Sequence, residues 1–168
     1  MAKFLLSLHV LVSVLFIGPV AVAVSMYPRR AAAALAAGPE QVTAAASVRL
    51  LNRITRLYAV LGIAVPVLGI GTAQVMGIMG QTWLIVSLVV TALAAGTLLV
   101  LVVPAQQAVV DTLDLEDGRE IVGVVRGDER ERAVRGLKLL PMTAGVFNLL
   151  WAVVVVMMVI RPGSTTGA

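Results

Sequence analysis

Residues 4–26 read FLLSLHVLVSVLFIGPVAVAVSM, an apolar run that contains the chain's only histidine, His9, and ends against Tyr27-Pro28-Arg29-Arg30. A helical bilayer crossing takes about 20 mostly apolar residues, so the run reads as a membrane span with a basic stop behind it. A secretory signal peptide is the competing reading, since Lys3 precedes the run and Ala21-Val22-Ala23 resembles an A-x-A cleavage site. The run is long for such a peptide, and Arg29-Arg30 follows it, so we read it as a retained span.

Three further stretches have the same character, at residues 57–79, 83–103 and 141–160. The second and third are separated by Gly80-Gln81-Thr82 alone, which reads as a tight hairpin. Composition agrees: 60% of the 168 residues are hydrophobic and mean hydropathy is +1.00, against the roughly 45–50% apolar content of a soluble domain. The predicted fold is therefore all-α, a polytopic membrane protein whose single domain over 1–168 is an antiparallel bundle of four transmembrane helices.

Charge sets the orientation. Segment 27–56 carries Arg29, Arg30, Arg49, Arg53 and Arg56, and segment 104–140 carries Arg119, Arg126, Arg130, Arg132, Arg135 and Lys138, leaving Lys3 and Arg161 for the other side. Basic residues in short loops mark the cytoplasmic face. Both termini and the 80–82 hairpin are thus expected outside, with 27–56 and 104–140 in the cytoplasm. Net charge is +4, and the arginines read as topology signals, so no nucleic-acid partner is expected. Arg29, Arg30, Arg49, Arg53 and Arg56 can also reach anionic phospholipid headgroups. Eleven of the 13 basic residues are Arg, in a chain rich in Ala, Val and Gly. That balance suggests a high-GC bacterial genome and a plasma-membrane location.

With no cysteine, disulfides, thiolate zinc sites, iron–sulfur clusters and covalent haem attachment are excluded. The spans hold no Asp, Glu, Lys or Arg, and no phosphate loop or nucleophile–base pair is legible. Catalytic residues are expected to be none, and no cofactor is expected. Gly18-Pro19 and Pro66 each predict a helix kink. Gly38-Pro39-Glu40 reads as a helix stop followed by a restart, and 114–118 as a helix end. Asp128 is the expected N-cap of the helix feeding the last span, and the residues after Arg161 read as an unstructured tail. Gly69, Ala73 and Gly77 form a small-residue stripe on the second span, and Ser87, Thr91 and Ala95 form one on the third. Such stripes let helix backbones approach closely, so the two are expected to face each other. Asn148, inside the fourth span, is expected to bond a neighbouring helix.

At about 1.5 Å per residue, His9, Gln74 and Ser87 fall at similar depth near the outer face, with Met76, Met79, Met157 and Met158 in the same layer. Imidazole and thioether groups suit Cu(I), which makes His9 and these methionines candidate metal ligands. A hydrogen-bonded structural histidine is the plainer alternative, and a quinone or proton contact is a third.

Leu8-His9-Val10, then Leu15-Phe16-Ile17-Gly18 and Tyr27-Pro28-Arg29-Arg30, resemble the first helix of four-helix bacterial membrane proteins related to the copper-resistance protein D superfamily. The haem-associated, membrane-bound protoporphyrinogen oxidases are similar in this span. The resemblance implies a role for His9 and Gly18, while the further histidine or lysine of the copper and haem relatives has no counterpart here. Size and composition also resemble accessory subunits of the cytochrome bc–cytochrome oxidase supercomplexes of high-GC Gram-positive bacteria. That likeness implies other integral membrane subunits, including respiratory oxidase subunits, as partners, and no site of its own.

The lack of cysteine makes the orientation directly testable. Gln81→Cys should react with a membrane-impermeant maleimide on intact cells, and Asp117→Cys only after permeabilisation; the reverse pattern overturns the assignment.

Overall fold

The computed structural model describes residues 1–36, 38–119 and 127–163, with the backbone alone over 115–119 and 127–135. It is 89% helical, and no strand occurs among the described residues. The helices are α1 (Ala2–Leu35), α2 (Gln41–Leu61), α3 (Ala64–Val75), α4 (Thr82–Gly96), α5 (Val103–Arg119) and α6 (Gly127–Ile160), with a π-helical turn at Thr97–Val102 joining α4 to α5. They make four antiparallel crossings, each long and apolar enough to span a membrane: Ala2–Leu35, Gln41–Val75, Thr82–Asp114 and Gly136–Ile160. Four crossings put both termini at one end, here the terminal end, and the turns after α1 and α5 at the other, the loop end.

The helices outrun their apolar stretches. The 34 residues of α1 make a rod about 51 Å long, beyond the roughly 30 Å of hydrocarbon. Its continuation is the alanine run 31–34, the strongest helix former available. The chain turns at Gly38-Pro39 and resumes from Glu40, as expected. The polar segments 27–56 and 104–140 are therefore largely helical extensions of the bundle. Pro104, which marked the expected end of the third span, sits in the first turn of α5, where the missing N–H costs little. The widened turn just ahead of it takes up the ring.

The prolines behave differently according to their neighbours. Pro19 and Pro28 lie inside α1 without ending it. Pro66 has Gly62 one turn before it, so two helix-weakening residues combine, and the helix breaks between Leu61 and Ala64. The ladder is bridged by tighter bonds there, from Ile63 N–H to Val60 C=O at 3.2 Å and from Val65 N–H to Gly62 C=O at 3.0 Å. The backbone stays paired, as hydrocarbon requires.

The two small-residue stripes do not face each other. α3 packs on α1 and α4 packs on α6, and α3 and α4 meet only beside their connection, where Ala73 joins Trp83 and Leu84. The connection, residues 76–81, is longer than the expected three-residue hairpin and lets the helices diverge. Gly77 is not in a helix: its φ is +69°, and Ile78 N–H reaches Ala73 C=O at 3.1 Å while Gly77 N–H reaches Gln74 C=O at 3.1 Å. This is the Schellman ending of α3, with glycine in its left-handed position. Ser87 and Thr91 direct their hydroxyls into their own helix, to the carbonyls of Trp83 and Ser87, both at 2.8 Å, a habit of buried hydroxyls in membrane helices.

The main core lies from mid-bundle to the loop end. Val20, Val24, Tyr27, Ala31 and Ala34 of α1 meet Ala44 and Val48 of α2, Val109 and Leu113 of α5, and Leu140, Ala144 and Phe147 of α6. The terminal end has only the small cluster of Ala73, Trp83 and Leu84, padded by Met157 and Met158. The expected cap at Asp128 and most of the tail after Arg161 lie outside the described residues and side chains.

Gly77→Ala should cost about 1–2 kcal/mol, the penalty of a left-handed L-residue, read as a lowered melting temperature in detergent. Gly80→Ala, in the same connection at negative φ with open space around it, should leave the melt unchanged.

Candidate functional site

Three places gather polar or irregular features: the His9 contact, a cleft at the helix break, and a polar junction towards the loop end. His9 projects from α1 onto α3 and is buried. Its position depends on Gly69, where a Cβ would stand 3.0 Å from the imidazole Cε1 and 3.5 Å from Nδ1. The ring also lies against the backbone carbonyl of Val65, one turn earlier on the face that the glycine leaves bare. Nδ1 is buried with no hydrogen-bond partner.

The layer expected around His9 is not assembled. Ser87 is occupied within α4 and Gln74 is exposed. Met76 is the last residue of the α3 ending, and Met79 is exposed in the turn that follows. Met157 and Met158 pack against the Trp83 cluster. The five candidate metal ligands are thus distributed between two packing environments, His9 on α3 and the methionines around the connection and the end of α6. Among the described residues, no three His, Asp or Glu side chains converge.

The cleft holds about 100 Å³. Gly62 and Pro66 at the helix break form one wall and Ala95, Leu98 and Leu99 the wall opposite, with Tyr58 and Trp151 beside them. Phe16 packs edge-on against Tyr58 at 6.3 Å, and Phe147 against Trp151 at 6.4 Å. Both backbone irregularities, the break and the π turn, thus line one space where the two helix pairs separate.

The polar junction ties α1, α2 and α5 together. The Tyr27 hydroxyl, fully buried, donates to the Gln106 carbonyl at 2.7 Å. Asn52 Nδ2 donates to Gln107 Oε1 at 3.0 Å, and the Arg56 guanidinium to the same oxygen at 3.2 Å. Gln107 in turn donates to Asp111 at 2.7 Å. Further out, Arg49 pairs with Asp114 at 2.8 Å. Both side chains are substantially exposed, and such a pair contributes at most about 1 kcal/mol. On the α1–α6 side, Asn148 Nδ2 donates to Ser25 Oγ at 2.9 Å, the interhelical bond expected of that amide. Of the headgroup arginines, Arg49 and Arg56 thus turn towards α5, Arg56 while still exposed, and Arg29, Arg30 and Arg53 are exposed as well.

Asn52, Gln106 and Gln107 were not singled out from the sequence, and Tyr27 was read only as part of the basic end of the first span. The available signal was uncharged: one phenol and one amide in an arginine-bearing stretch, and two amides ahead of an acidic one. Comparison with known protein families, with curated proteins and with solved structures returned no match.

Gly69→Leu should drive a side chain into the imidazole and lower the melting temperature, by about 1–3 kcal/mol of overpacking. Combining it with His9→Ala, which vacates the space, should recover part of that loss. Simple additivity of the two losses would sever the proposed dependence of His9 on Gly69.

Proposed function

We propose that this chain is a non-catalytic integral-membrane subunit that stabilises a larger membrane complex. The observation that carries the reading is how the bundle divides its polar and apolar groups. Several of its polar side chains bond helix to helix, at Tyr27–Gln106 in the interior, at Asn52–Gln107 half-buried, and at Asn148–Ser25 on the outer edge. Its outward faces are apolar, and within the most apolar window of each crossing only 11–28% of residues are buried by the chain itself. That leaves long surfaces of Val, Leu and Ile for lipid tails and partner helices, and membrane helices associate through such close packing.

For the partner we propose a respiratory assembly of the cytochrome bc–cytochrome oxidase kind, on the strength of the resemblance in size and composition. Anionic phospholipid at the loop end belongs to the same proposal, supported by exposed Arg29, Arg30 and Arg53. A second reading has one observation in its favour. His9 Nδ1 has no partner, and a copper or haem module at the terminal end would use that nitrogen as a ligand.

One purification separates the readings. Tagged protein drawn gently from native membranes should elute with haem-bearing oxidase subunits, and His9→Ala should leave that association intact. Elution alone, with stoichiometric copper or haem that His9→Ala removes, would replace the accessory role with the binding module.

A further inference from the structure

Gln106 stands apart among the buried polar groups. Its side chain is fully buried, and both ends of the amide, Nε2 and Oε1, lack a hydrogen-bond partner in the protein. An amide offers two donors and an acceptor oxygen. Leaving all of them unmatched in an apolar interior is among the costliest arrangements a core can contain. Buried polar groups are almost always matched, and where protein supplies no partner, internal water does.

The surroundings offer polar partners for such a water. A buried water takes two to four polar neighbours. Tyr27 is also fully buried, and its hydroxyl sits 2.7 Å from the backbone carbonyl of Gln106 itself. The phenol thus meets the backbone of the same residue whose side-chain amide is unmatched. The hydroxyl donates its hydrogen to that carbonyl and keeps its oxygen lone pairs for an incoming donor. The neighbouring residues of the core, Val102, Val109 and Val110, offer no side-chain alternative. Gln107 differs in kind, since its amide is engaged by Asn52, Arg56 and Asp111.

We propose that Gln106 and Tyr27 form an internal hydration site, in which a water molecule donates to the Tyr27 hydroxyl oxygen and bonds the Gln106 amide. The site joins α1 to α5 a second time, beside the direct Tyr27 bond. It lies one turn beyond the π turn at Thr97–Val102.

The test is a hydration experiment on the full chain in phospholipid nanodiscs, with the glutamine side-chain amides labelled with nitrogen-15. The Gln106 amide protons should show a cross-peak to a long-lived water. Gln106→Leu identifies the signal by deleting it, and Tyr27→Phe, which keeps the ring but removes the oxygen, should weaken or abolish it. Absence of the cross-peak in the unaltered protein overturns the site, whatever the variants do. A cross-peak that survives undiminished in a folded Tyr27→Phe variant overturns the bridge between the two residues.

Discussion

Every backbone N–H and C=O that enters hydrocarbon must be paired inside the protein, and this structure follows from that demand. It makes each crossing a helix and governs how each irregularity is built. Where Pro66 and Gly62 break the ladder, the neighbouring amides shift to closer carbonyls and remain bonded. Ahead of Pro104 the helix widens by a π turn without opening. Where α3 ends, Gly77 adopts the left-handed conformation and two amides fold back onto the last carbonyls. The serine and threonine hydroxyls obey the same rule, each bonding a carbonyl one turn earlier in its own helix.

With the backbone satisfied, side chains determine which helices meet, and they do so unevenly. Towards the loop end, small residues at Ala31, Ala34, Ala44 and Val48 bring α1 and α2 together, and Tyr27 reaches across to α5. At the terminal end a glycine makes the principal contact, since Gly69 admits His9 between α1 and α3. The other pair, α4 and α6, closes separately around Trp83, with Arg161 stacked 5.7 Å over its ring. The cleft at the helix break is the space left where these pairs part.

The crossings were legible in the sequence because hydrocarbon thickness imposes a length and a polarity that no other environment imposes. A kink at Pro66 was legible, though not that Gly62 would turn it into a break, and so was the need for a partner at Asn148. What could not be read was direction. The stripes of Gly69 and Ser87 have the spacing of facing surfaces, yet which surface each meets depends on how α3 and α4 diverge after Gly77. Gln106 escaped notice for a related reason: an amide two residues past a proline, beyond an apolar run, looks like the start of a loop. Only the continuation of the helix through Pro104 turns it inward. The candidate metal layer rested on depth alone, and equal depth on different helices does not bring side chains together around the bundle axis.

The most extensive interface joins α1 to α2, neighbours in sequence. Chain synthesis delivers these two helices ahead of the other crossings, and the contacts between them close only a short loop, which keeps the entropic cost of pairing low. The first two crossings can therefore enter the bilayer already paired and act as a template. The later crossings meet it chiefly through the core towards the loop end.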